Sequence, residues 1–281
     1  MSSPPNVRLR LSNRAENVLL VRQALSGLAD VVGLDAVALN DLSTAITEAA
    51  NNVVIHAYRG GEGPLEVELT VLPGSIQALV RDRGTGILPG VEAAEANSGG
   101  IGLHVIRTLS DAVEFRDMPG GGTEVAMDFL APGMRPVSEP EGEGGTELEA
   151  VETDDTVDLT LMSVAPTAVA RGVVPRVVST LAARAYFTTD HISDTHLLTD
   201  VLVSQADGAI CASHLNVGVS VEPRQLEIRL GPLRAGRAGA LFGGPAMARL
   251  GPVLERLSEG HEVSSSGSSE TLDLRLAQRQ S

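Results

Sequence analysis

Glu48-Ala49-Ala50-Asn51-Asn52-Val53-Val54-Ile55-His56-Ala57-Tyr58 carries a carboxylate and an amide four residues apart. On a helix that spacing is one turn, so Glu48 and Asn52 share a face. An amide oxygen is a hard ligand suited to Mg²⁺, which keeps several waters and takes its other ligands from phosphates. A carboxylate beside it can take a proton from an incoming nucleophile. Alone, such a pair is also what an ordinary helix surface offers. Upstream, alternation at residues 7–11 predicts a strand, and Ser12 or Asn13 is placed to cap a helix with Val18, Val21, Leu25 and Leu28 on one face. Gly33 ends that helix, and Asp35 can cap the next, which runs to about Tyr58. Downstream of the turn-rich Arg59-Gly60-Gly61-Glu62-Gly63-Pro64, residues 65–72 and 75–81 alternate around Pro73-Gly74 and predict a hairpin. Residues 103–110 predict a helix, and 113–117 and 123–130 two strands around Pro119-Gly120-Gly121-Gly122.

Two further segments fall at the junctions of these elements. Asp82-Arg83-Gly84-Thr85-Gly86 follows the second hairpin strand. An Asp at a strand end can accept a hydrogen bond from an exocyclic amine, and glycines let backbone approach a ring or phosphate closely; the same string also makes a plain turn. Ser98-Gly99-Gly100-Ile101-Gly102-Leu103 opens a helix, which aims free N–H groups and the positive helix end at an anion. A lone glycine run before a helix is weak evidence, whereas the three segments together, in this order, converge on a nucleotide.

In that order they resemble the superfamily of gyrase, the DNA mismatch-repair ATPases and the histidine kinases, with Gly121-Gly122-Thr123 fitting its closing strand. Within it, residues 6–130 look most like the anti-sigma-factor serine kinases, on Glu48, Asn52, His56-Ala57-Tyr58 and the passage from Gly99 to Phe115. The resemblance implies an α+β fold, a two-layer α/β sandwich, with ATP and Mg²⁺ as cofactors. It makes Glu48 the catalytic base that activates a hydroxyl or a water, and Asn52 the Mg²⁺ ligand. Asp82 reads the adenine amine with Gly84 and Gly86 beside the base, Gly100 and Gly102 lie at the phosphates, and Thr123 supports the adenine end. This is phosphoryl transfer by positioning and charge neutralisation, and no Walker-type phosphate loop occurs in the chain. His56 and Tyr58 are expected to end and pack the helix. His104 is open between approaching a phosphate and packing its helix.

After residue 131 the composition changes. Residues 132–156 are rich in Pro, Gly and acid, with Glu139, Glu141, Glu143, Glu147, Glu149, Glu152, Asp154 and Asp155 uninterrupted by any acid-neutralising base after Arg135, and read as a solvated linker or an acidic tether. Residues 157–281 largely repeat the earlier order: strand 159–164, helices 167–185 and 193–212, strands 215–221 and 225–230, helix 246–257 and strand 271–276. We expect a duplicated domain whose second copy is degenerate, since matching Leu42 to Leu198 puts Ser204 at Glu48, Gly208 at Asn52 and Pro232 at Asp82. The glycine-rich residues 236–244 then read as loop. His191 and His196 lack evident partner ligands for a metal.

Composition narrows the classes of function. A net charge of −15 argues against nucleic acid as the main partner. The one cysteine, Cys211, leaves no disulfide framework or zinc thiolate set and fits a reducing compartment. The beginning of the chain shows no apolar signal core, and no run approaches the ~18 apolar residues of a membrane span, so the expected location is the cytoplasm. The expected activity is an ATP-dependent serine/threonine kinase that phosphorylates a small anti-sigma-factor antagonist. The expected partners are that antagonist or a sigma factor, with a homodimer in keeping with the family. The alternative is a nucleotide-gated anti-sigma binding module with little or no kinase activity. A histidine kinase is disfavoured because only 47 residues precede Glu48, too few for a phosphoacceptor helical hairpin, and a gyrase-type machine would need a transducer domain.

Overall fold

Along strand β1, Val7–Ser12, every second side chain is buried, and the same alternation marks β2, Pro64–Leu72, and β3, Ser75–Asp82. With β4, Ala112–Asp117, and β5, Thr123–Leu130, they are ordered β4-β5-β3-β2-β1, and every pair is antiparallel. The computed structural model describes residues 4–85, 101–138 and 158–278. It divides into two units, Pro5–Val137 and one taking Ser138–Ser281.

In the first unit, Val7, Leu9, Leu11, Leu65, Val67, Leu69, Ile76, Ala78, Val80 and Met127 make the inner face of the sheet. Helices α1, Asn17–Val32, and α2, Ala36–Asn52, cover it with Leu20, Leu25, Leu28, Leu42 and Ile46, and α3, Ile101–Leu109, adds Ile106. This is the expected two-layer α+β sandwich, in which burial of one face by helices supplies the core. The outer face carries charge instead. Arg8 on β1 pairs with Glu68 on β2 at 2.7 Å, Arg81 on β3 bridges Glu68 at 3.0 Å and Glu124 on β5 at 2.5 Å, and Arg116 on β4 meets Glu124 at 2.8 Å.

Helix boundaries follow local chemistry. Asp35 caps α2 as expected, its Oδ1 accepting from the N–H groups of Val37 and Ala38, both at 2.9 Å. Gly33 closes α1 in the left-handed conformation at φ 69°. Neither Ser12 nor Asn13 caps α1; Glu16 stands at that position with no side-chain cap. Asn13 is buried and is used elsewhere, donating to the Gly61 carbonyl at 3.0 Å and accepting from the Gly63 N–H at 2.9 Å. It ties the start of the unit to the turn before β2. Residues 132–137 remain with the first unit, where the Arg135 N–H donates to the Val32 carbonyl at 2.7 Å.

The second unit contains β6, Asp158–Val164, α4, Thr167–Arg184, α5, Thr189–Ala206, β7, Leu215–Glu222, and β8, Gln225–Arg234. Short helices α6, Ala238–Gly243, α7, Pro245–Ala248, and α8, Gly251–Leu257, follow, then β9, Ser258–Ser266, and β10, Ser269–Ala277. Its strands are ordered β6-β7-β8-β10-β9, the order of the first unit. The helix expected at residues 246–257 is broken between Ala248 and Gly251, because Pro252 has no N–H to donate to the Ala248 carbonyl. Strand β9 was not expected: Ser-Glu-Gly-His-Glu-Val-Ser-Ser-Ser is exposed almost throughout and pairs only with β10.

Candidate nucleotide site

Glu48 and Asn52 lie on the last turns of α2, half-buried, and the helix then widens into a π-helical turn, Val53–Ala57. Such a turn spends an extra residue and redirects the carbonyls at the helix exit. Here the Ala57 carbonyl accepts from the Thr85 N–H at 3.0 Å, so the helix end holds the loop that follows β3. Opposite Glu48 stands the first turn of α3. A Cβ on Gly102 would lie 2.9 Å from Glu48 Oε2 and 3.7 Å from Asn52 Oδ1, so carboxylate, amide and helix start share one small space that only glycine leaves open. Among the described residues Glu48 has no ion-pair or hydrogen-bond partner.

Asp82 ends β3 opposite Leu65 and is 4% exposed. Its Oδ1 accepts from the Gly84 N–H at 2.8 Å, and both the backbone and the hydroxyl of Thr123 donate to the carboxylate. Burial pushes its pKa above the ordinary aspartate value, and the Gly84 and Thr123 hydrogen bonds partly oppose that rise. A buried carboxylate held only by neutral donors can take another, which is the chemistry of reading an amine.

Two glycines make this loop compact. A Cβ on Gly84 would overlap the Ala57 carbonyl, and one on Gly122, at φ 98°, would overlap the Asp82 carbonyl. Residues 84 and 122 therefore let the α2 exit, the Asp82 loop and the start of β5 meet backbone to backbone. Tyr58 fastens the same junction from below. Its hydroxyl donates to the Pro64 carbonyl at 2.6 Å and accepts from the Arg83 N–H at 2.8 Å.

Glu48, Asn52 and Gly102 thus form one cluster, and Asp82, Gly84 and Thr123 form another, joined by the α2 exit. Gly86 and Gly100 lie outside the described residues. His56 is exposed rather than packed, and His104 is exposed on α3. Sequence reasoning named Gly122 only within the closing-strand string, without its close approach to Asp82, and passed over the double hydrogen bond of Tyr58. The glycine run before β5 was a visible signal for the first, and nothing local signalled the second.

The second unit has the strand order of the first, with an amide but neither carboxylate at the matching positions. Thr195, Leu198, Thr199, Leu202 and Val203 are buried on α5 with the spacing of Leu42, Ala45, Ile46, Ala49 and Ala50 on α2. That register places Val201 and Gln205 at Glu48 and Asn52, correcting the match of Ser204 and Gly208, which followed from aligning two leucines. The hairpins agree on Pro232 for Asp82, since Ser75 and Gln225 open β3 and β8 after equivalent turns and each stands seven residues ahead.

Residues 11–129 match the family described as a histidine kinase-like ATPase domain. The serine-protein kinase RsbW of Listeria monocytogenes is 36% identical over 121 residues, spanning 38% of this chain and 77% of that protein. The anti-sigma F factor of Caldanaerobacter subterraneus is 29% identical over 130 residues, spanning 43% of this chain and 90% of its own. Among solved structures, the histidine kinase domain from the blue-light activated histidine kinase of Erythrobacter litoralis is 22% identical, with a TM-score of 0.30 over 41% of this chain and 64% of that one, a likeness on which nothing below rests. Through its first unit, the chain belongs to the anti-sigma-factor serine-kinase family of histidine kinase-like ATPases.

Proposed function

We propose that the first unit binds Mg·ATP and transfers the γ-phosphoryl group to a serine or threonine hydroxyl of a small anti-sigma-factor antagonist, so governing whether a sigma factor is held or released. The observation that carries this reading is the meeting of Glu48 and Asn52 at Gly102, where a proton acceptor and a hard oxygen ligand face the start of a helix. The names of the relatives, a serine-protein kinase and an anti-sigma factor, support the same class of activity.

Asn52 Oδ1 suits Mg²⁺, an ion that takes one or two protein oxygens and completes its shell with water and phosphate. Bound there, the ion supplies neutralisation of phosphate charge. Asp82 accepts from the adenine amine while Thr123 and Gly84 hold its carboxylate in place. Glu48 takes the proton of the acceptor hydroxyl as its oxygen bonds to the γ-phosphorus; the bond from that phosphorus to the β–γ bridging oxygen breaks, and ADP leaves with the electron pair.

The second unit serves as a non-catalytic copy used for partner binding, dimerisation or regulation. Its shared strand order supports common descent, and Val201 and Pro232 carry neither a base nor an adenine acceptor. No helix among the described residues is long and apolar enough to cross a membrane.

Incubating the chain with γ-labelled Mg·ATP and a lysate of its source cells should label one small protein. Glu48→Ala should lower that labelling by about 100-fold or more with ATP binding retained. Equal labelling by Glu48→Ala would remove Glu48 as the base, and retained ATP binding without any transfer would leave a nucleotide-gated binding module.

A further inference from the structure

Antiparallel pairing of β2 with β3 stops at Leu65 and Asp82. The next groups along, the Pro64 carbonyl and the Arg83 N–H, are joined instead through the Tyr58 hydroxyl, at 2.6 and 2.8 Å. A phenol from the α2 exit thereby replaces the missing rung immediately after the carboxylate assigned to the nucleotide base. We propose that Tyr58 is a positioning residue for base selectivity, holding the peptide after Asp82 so that its carboxylate presents an acceptor to an amine and rejects a ring carbonyl. The inference rests on the reading of Asp82 as the adenine acceptor.

Three observations carry it. Tyr58 donates and accepts at once, so the bridge requires the protonated phenol, and burial, the largest influence on it, raises its pKa further from neutrality. Its ring occupies the space where a Cβ on Gly63 would lie, so the turn before β2 accommodates the ring by having none. The adjoining peptides are fixed too: Thr85 N–H donates to the Ala57 carbonyl at 3.0 Å, and Gly84 N–H to Asp82 Oδ1 at 2.8 Å. Loss of the phenol frees Arg83 while leaving Glu48, Asn52 and Gly102 in place. Adenine offers an amine to Asp82, and guanine offers a carbonyl at the corresponding ring position. When the peptide after Asp82 shifts, the carboxylate, still held by Gly84 and Thr123, presents its acceptor less squarely and loses part of its gain with the first and part of its repulsion with the second.

The test uses the full chain and its Tyr58→Phe variant, with ATP and GTP each displacing a ribose-labelled fluorescent ATP analogue in the presence of Mg²⁺, alongside thermal unfolding. The ATP preference over GTP should fall about three- to tenfold, as expected when losing the two hydrogen bonds of the Tyr58 hydroxyl acts on one base more than the other. Gly63→Ala, which displaces the ring by a different route, should move the preference in the same direction. A merely structural role would weaken both nucleotides alike, so an unchanged ATP-to-GTP ratio in both variants overturns the proposal. A parent chain that binds neither nucleotide overturns the nucleotide reading itself, and this inference with it.

Discussion

At Asp82, burial and ligand recognition pull in opposite directions. Burial places its folded pKa above its unfolded one, so the folded chain pays for ionisation. That contribution to stability is intact below the unfolded pKa and declines as pH rises through the folded pKa. Asp82→Asn removes the charge, so the thermal midpoint of the free protein at pH 7 should stay level or rise, while ATP affinity drops about 10- to 100-fold. A clear fall in midpoint would mean that Asp82 is held for structure. In the parent chain, calorimetric ATP affinity should weaken as pH falls through the raised Asp82 pKa, beginning above the usual aspartate range, because only the ionised carboxylate is a pure acceptor. Gly122→Ala combines a left-handed φ with overlap at the Asp82 carbonyl and should cost about 2–4 kcal/mol in urea unfolding. That Glu48, Asn52 and Gly102 meet, and that Asp82 stands with Gly84 at a strand end, was legible because these residues sit in short ordered strings. The contacts of Gly122 and Tyr58 were not, because each joins a partner distant in sequence: Tyr58 reaches Arg83 across 25 positions.

Among the elements, the sheet of the first unit separates its two tasks by face. The inner face packs against helices, and the outer one runs an ion-pair ladder from Arg8 through Glu68, Arg81 and Glu124 to Arg116. Burial alone would raise the Glu124 pKa, but hydrogen bonds and charge from Arg81 and Arg116 outweigh it and hold the group below the ordinary glutamate value. For a carboxylate depressed in this way, stabilisation is present above the unfolded pKa and lost as pH falls through the folded one. Glu124→Gln should therefore lower stability by about 1–2 kcal/mol at pH 7, and the gap should close in acid. A gap independent of pH would place the loss in packing. Alternation made the inner strands readable, and the Asp35 cap was readable from its type and position. Strand β9 was hidden because an edge strand solvated on both faces needs no alternation. The π-helical turn was hidden because its cause is the docking of the Asp82 loop on Ala57, not a local preference.

For the whole molecule, one frame occurs twice with different contents. The shared strand order was legible from the repeated succession of elements, while the correct register between α2 and α5 emerged only from which side chains are buried. A fragment ending at Val137 should fold and keep the ATP affinity of the full chain; loss of binding in a folded fragment would give the second unit a direct part in the site. The most direct test is calorimetric titration of the full chain with ATP and Mg²⁺, repeated on Asp82→Asn and Asn52→Ala. One nucleotide per chain, with binding sharply weakened by either substitution, is the predicted result; two per chain, or one whose affinity ignores both substitutions, would contradict a single site in the first unit.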